Sequence, residues 1–179
     1  MEQNNKQKSN KSKWLIILLL LITVIAVGVT VWTLFFRKTG PVLSPDYAPV
    51  EMESNAEEIP NDEEEKMEKP EGGGSVSLSY SDDVVISLSD KKANLYFANP
   101  GKSNQNMVVQ LVIQDTVVVQ SGTLTPGNQV TSLDLLNGAD KQLSAGGYEG
   151  KFVLLYYDPD SGEKAIVNTE IPVTITVTE

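Results

Sequence analysis

From residue 75 onward, short apolar runs rich in Val, Ile, Leu, Thr and Tyr alternate with Gly, Pro, Asn and Asp, a texture that predicts strands joined by turns. Candidate strands are Ser75–Tyr80, Val84–Leu88, Ala93–Ala98, Met107–Gln114, Val117–Leu124, Gln129–Leu135, Gly147–Tyr157 and Lys164–Thr178. In the last of these Ile171, Val173, Ile175 and Val177 share one parity and Pro172, Thr174, Thr176 and Thr178 the other, so one face is predicted to be buried. Pro172 has no N–H for a ladder, which places it at a sheet edge or with its nitrogen facing solvent. Pro126-Gly127 fits the centre of a type II turn, because proline presets φ and glycine accepts a positive φ. Asp158-Pro159-Asp160-Ser161-Gly162 reads as a hairpin loop and Asn99-Pro100-Gly101 as a further turn. Asn137–Leu143 reads as one helical turn. Seven or eight strands in this span predict an all-β, antiparallel β-sandwich over residues 75–179.

A different pattern fills Trp14–Phe36, where 23 consecutive positions carry no charge and show no alternation. As a helix this run is about 34 Å long, against a hydrocarbon core of about 30 Å, and predicts one transmembrane span. Lys6, Lys8, Lys11 and Lys13 precede it, while only Arg37 and Lys38 follow before the chain turns acidic. That asymmetry puts the N-terminus in the cytoplasm and the C-terminal domain outside the cytoplasmic membrane. The alternative, a cleaved signal peptide, fits poorly with a run this long that ends in Leu34-Phe35-Phe36-Arg37 without a small-residue cleavage site. An uncleaved signal anchor is the expectation, with residues 1–13 as a basic tail against anionic lipid.

Between helix and strands, residues 37–74 lose periodicity and carry Pro41, Pro45, Pro49, Pro60 and Pro70 and the run DEEEKMEKPEGGG. This composition predicts a disordered acidic linker holding the domain away from the bilayer. The whole chain has a net charge of -10, and the excess of acid lies entirely after residue 38, so nucleic acid is not an expected partner. Cys 0 and His 0 exclude thiol chemistry, thiolate or imidazole zinc centres and any Ser-His-Asp triad within the chain.

The stretches ANLYFANPG, MVVQLVIQDTVVVQSGTLTPGNQVTSLDL and LSAGGYEGKFVLLYY resemble the immunoglobulin-like β-sandwich modules of bacterial cell-surface proteins. Asn99 and Gly101 match an Asn-x-Gly turn, Leu124, Pro126 and Gly127 an L-x-PG turn, and Leu143, Gly146, Gly147 and Tyr148 a near version of the approach to a late strand. The resemblance implies an Ig-like fold and no chemistry. It also makes Tyr148 the candidate for a tyrosine corner, its hydroxyl bonding backbone a few residues upstream. The chain as a whole is similar to single-pass envelope proteins of Gram-positive bacteria that combine a basic start, a signal anchor, an acidic stalk and such a domain.

Candidate sites are few. Asp158, Asp160, Gly162 and Glu163 approach the opening of a calcium loop but lack the downstream glutamate, and a plain turn explains them. Asp82 and Asp83 are adjacent, so their side chains diverge, and a solvated turn is the simpler reading. Tyr80, Tyr96, Tyr156 and Tyr157 offer contact area, with Tyr156 and Tyr157 on opposite faces of their strand. Gln105, Asn106, Gln110, Gln114 and Gln120 predict a polar, solvated outer face. In the helix, Thr23, Ala26, Thr30 and Thr33 share a stripe of small residues suited to weak lateral helix contact, or to threonines bonding their own backbone. No catalytic, metal or cofactor set emerges. The expectation is a non-enzymatic, membrane-anchored interaction or display module that binds a protein or envelope polymer. The alternative is an accessory single-pass subunit of a membrane secretion, conjugation or transport complex.

Overall fold

The computed structural model describes residues 13–28, 45–62, 65–71 and 73–179. The chain divides into two compact units, Met1–Gly40 and Pro41–Glu179. In the first, residues 13–28 form a helix, α1, whose side chains are exposed on every face. Among the described residues no helix is long and apolar enough to cross a membrane. The last eight residues of the expected span, 29–36, lie outside the described residues, as do residues 1–12 of the basic tail.

The second unit is built from β1 (Glu57–Glu58), β2 (Ser79–Tyr80), β3 (Asp83–Ser87), β4 (Lys92–Asn99), β5 (Asn106–Ile113), β6 (Thr116–Gln120), β7 (Asn128–Asp134), β8 (Gly146–Tyr157) and β9 (Lys164–Thr178). The hydrogen-bonded order is β1-β7-β4-β3-β9-β8-β5-β6, with β2 also on β4. Every pairing between these strands is antiparallel except that of β3 with β9. The path curls on itself, since a bridge between Val119 and Leu135 brings β6 to the end of β7. Two layers result, β7-β4-β3 and β9-β8-β5-β6, joined where β3 leaves one to run parallel to the other. This is the all-β, Ig-like sandwich.

Alternation places the core. Val84 and Ile86, Leu95 and Phe97, Met107 to Ile113 on odd numbers, Phe152 and Leu154, and Ile171 to Val177 on odd numbers turn inward and are buried. Phe97 and Phe152 meet edge to face at 6.2 Å. Each such side chain contributes about 1.5–3 kcal/mol on leaving water. Across β9 the exposed set is Pro172, Thr174, Thr176 and Thr178, as the parity predicts. The turn centred on Pro126-Gly127 has Gly127 at φ 85, and the helical turn is a 3-10 helix over Ala139–Lys141.

Two expectations are corrected. The outer face of β5 and β8 is not a solvated glutamine surface: Val108, Val112, Val117, Val153, Leu155 and Tyr157 form a second buried cluster, with Ala48 and Leu136 packed against it. Gln110 is fully buried there, its Nε2 donating to Gln120 Oε1 at 2.8 Å, and Gln105 is also buried. The physical reason lies in NMVVQLVI, which carries apolar residues on both parities and so builds a strand buried on both faces. Tyr156 and Tyr157 do face opposite sides, yet both are buried.

The second correction concerns the linker. Its described residues from 45 to 74 lie along the sandwich as a strap rather than standing apart from it. Lys164 N donates to Asp46 O at 2.9 Å and Ala48 N to Gly162 O at 3.0 Å. Thr123 N donates to Glu51 O at 2.9 Å, and Glu53 N returns a bond to Thr123 O at 3.0 Å. The Glu53 carboxylate accepts from Gly122 N at 2.7 Å, β1 then pairs with β7, and Ile59 N donates to Gly127 O. Further on, Asp62 accepts from Gly101 N, Met67 N donates to Lys102 O, and Lys69 Nζ meets Asp158 Oδ2 at 2.7 Å. Main-chain pairing holds this segment, whereas a composition-based expectation of disorder counts only apolar side chains.

Candidate interaction groove at the open edge of β9

The β8–β9 hairpin turns through Asp158, whose Oδ1 accepts the N–H groups of Asp160 and Ser161, both at 3.0 Å. Gly162, at φ 71, sends its N–H back to Asp158 O. The Lys69 ammonium and those two N–H groups hold the Asp158 carboxyl far below the usual carboxylate range. Asp158 is therefore consumed by the turn and the strap. Among the described residues no three acidic, histidine or cysteine side chains gather where they could hold a metal ion.

Beyond the turn, the ladder with β8 slips between Leu155 and Tyr157, and the extra residues put Ile166 almost wholly in solvent at 99% exposure and Val167 at 67%. From Asn168 on, the ladder is regular. On its other side β9 meets β3 only from Thr174, whose N–H donates to Asp82 O at 2.9 Å. Because successive backbone groups of a strand point to opposite sides, the groups of Asn168, Glu170 and Pro172 face the same way as those of Thr174. No partner takes them among the described residues, and at Pro172 there is no N–H to satisfy. The edge position expected of Pro172 is the position it occupies.

Beside this edge the chain that leads into β2 diverges from β9, leaving a groove of about 800 Å³. Its lining includes Val76, Gln105, Tyr156, Ala165, Ile166 and Thr169. Tyr156 Oη donates to Thr169 Oγ1 at 2.7 Å, and burial raises the Tyr156 phenol above its ordinary value. On the opposite face Tyr157 Oη donates to Pro45 O at 3.1 Å, and burial, helped by Asp46, pushes that phenol up to about 12. A side chain at position 74 would meet the Gln105 side chain, which would have to swing aside.

The remaining candidates fall elsewhere. Tyr148 Oη donates to Ser144 O at 3.0 Å and accepts from Ser144 N at 3.2 Å, the geometry of a corner. Asn99 is fully buried, its Nδ2 donating to Gln105 O and Leu124 O at 3.0 Å each, while Gly127 N donates to Asn99 O at 2.7 Å. Asn99, Gly101, Pro126 and Gly127 thus form one structural node that the strap also reaches. Asp82 and Asp83 are exposed where β3 begins, Tyr80 is exposed, and Tyr96 Oη donates to Gln129 Oε1 at 3.3 Å. Asn106 and Gln120 are half-buried and Gln114 is exposed in a tight turn at φ 48. In α1, Thr23 Oγ1 donates to Leu19 O at 2.8 Å, the backbone bond that competes with a lateral contact. Ala26 is on the same helix; Thr30 and Thr33 lie outside the described residues. The open edge at Asn168 and Glu170 was not among the expected sites, and Pro172 was the residue that marked it.

Among solved structures, the chain is similar to AggA, the major subunit of aggregative adherence fimbriae type I from Escherichia coli, at 11% identity and a TM-score of 0.31, over 63% of this chain and 100% of that one. It is also similar to the CooA pilin subunit of enterotoxigenic Escherichia coli, at 16% identity and a TM-score of 0.24, over 59% and 99%. Likeness this distant carries no functional argument, and the fold rests on the strand order itself. No protein-family model and no curated protein matches the chain, so no sequence relative stands behind the resemblance to Gram-positive envelope proteins.

Proposed function

We propose that the chain is a non-enzymatic interaction module, anchored in the cytoplasmic membrane by a helix over residues 14–36 and presenting its Ig-like domain on the outer side to a protein or envelope polymer. The anchoring half of this reading is supported by α1, an apolar helix exposed on every face, which is the character of a segment surrounded by lipid. The lysine excess ahead of it supports an inside N-terminus. The observation that carries the interaction half is the unpaired edge of β9 beside an apolar groove, with Ile166 in full exposure. Exposed apolar surface beside free backbone groups is the character of a docking site.

The test is site-specific photocrosslinking in intact membranes. A photoreactive residue at position 166 is expected to capture a discrete partner, while the same residue at Thr131, exposed on β7, is not. Equal capture at both positions, or none at 166, overturns the reading.

A further inference from the structure

We propose that the open edge of β9 accepts, as an added strand, an extended basic segment of a partner protein in which apolar residues alternate with lysine or arginine. This rests on the docking reading above and specifies what docks. Three features of the groove define the occupant. The open edge that runs on from Thr169 in its lining supplies backbone groups at Asn168 and Glu170 and the carbonyl of Pro172, a regular stretch of about 17 Å that a strand of five or more residues can pair with. The floor, between β9 and the chain entering β2, is apolar at Val76, Tyr156 and Ala165, so every second side chain of the incoming strand meets hydrophobic surface. The mouth is acidic. Glu163 lines it, Asp160 is exposed in the adjoining turn, and Asp82 and Asp83 are exposed at the far end of the edge where Thr174 meets Asp82. Against these acids Lys69 is paired with Asp158 and Lys151 with Glu170, which leaves Lys164 as the cation of the lining without an acidic partner among the described residues. Side chains of the intervening parity therefore face carboxylates, and cations suit that place. Charge also speaks against a second copy of this chain, which would bring its own net charge of -10 to an already acidic mouth.

The experiment uses the full chain in nanodiscs and a fluorescein-labelled peptide of alternating lysine and valine, read by fluorescence anisotropy against empty nanodiscs. Comparison peptides are the same sequence N-methylated at every second residue and an alternating glutamate and valine peptide. The lysine peptide is expected to bind saturably, with affinity at least about tenfold lower after N-methylation or against Glu170→Pro, because both remove strand-pairing donors. Asp82→Lys combined with Asp83→Lys leaves the backbone intact and is expected to weaken the lysine peptide and admit the glutamate one. Equal binding of the methylated peptide means charge alone attracts it and overturns strand addition, and so does absence of binding. Self-association that Glu170→Pro abolishes places a second copy on the edge and overturns the basic partner. If position 166 captures a partner in membranes while the lysine peptide fails to bind, the occupant's chemistry is wrong and the docking reading stands; if position 166 captures nothing, the docking reading itself falls.

Discussion

The chain finishes two margins of the sandwich differently. Along β7 and the connection from β6, the strap takes up main-chain groups: β1 lies on β7, Glu51 and Glu53 bracket Thr123, and Gly122 donates to the Glu53 carboxylate. Along β9 from Asn168 to Pro172 nothing among the described residues plays that part, although Ile166 and Val167 stand exposed next to it. Unpaired edges invite association, and proteins usually blunt them. Here the same chain covers one edge with a dedicated segment and leaves the other bare except for Pro172, Glu170 and a bulge. The contrast separates a margin that is finished internally from one that is available to a partner.

The largest expected effect comes from lifting the strap. A Cβ at Gly122 would fall 2.8 Å from Glu53 N and from Met52 C, main-chain atoms that cannot swing aside. Gly122→Val is therefore expected to destabilise the domain by about 1–3 kcal/mol and to open residues 45–62 to protease. An unchanged melting curve with an intact strap would show that the covered edge does not depend on that approach.

A smaller effect is expected from acid. The Asp158 carboxyl is depressed chiefly by its hydrogen bond to Lys69, then by the turn N–H groups. A group whose folded value lies below its unfolded value of about 3.9 stabilises the fold above that value, and the contribution is lost as pH falls through the folded value. Loosening of the strap's end at Lys69 should thus appear only below about pH 4, whereas Lys69→Met, which lacks the pair, should leave that end loose at every pH. An onset that is the same in both would detach the strap's end from that pair.

Least affected should be stability when the open edge is altered. Ile166→Asp is expected to change the melting free energy by no more than about 0.5 kcal/mol, because the side chain packs on nothing. Loss of well over 1 kcal/mol would mean that Ile166 belongs to the fold and not to a free surface.

Much of the sandwich was legible because each strand's parity or turn has a local cause. Ile171 to Val177 alternate, Gly127 takes the positive φ after Pro126, and Pro172 marked an edge. The two-sided burial of β5 was misread because Gln110 and Gln120 drew attention to polarity while Val108 and Val112, on the same parity as Gln110, already signalled a covered face. The strap was illegible for a different reason. Glu53 finds Gly122 and Lys69 finds Asp158 across many residues, and such bonds leave no period and no composition. The groove likewise arises between the β8–β9 hairpin and the chain that leads into β2, a matter of topology that no single stretch encodes.

Amide hydrogen exchange of the full chain in nanodiscs tests the central contrast most directly. The Thr123 amide, bonded to Glu51 O at 2.9 Å, should exchange as slowly as the sandwich core, while the Asn168 and Glu170 amides should exchange close to open-chain rates. Protection of Glu170 equal to that of Thr123, or a Thr123 amide that exchanges freely, would contradict the account.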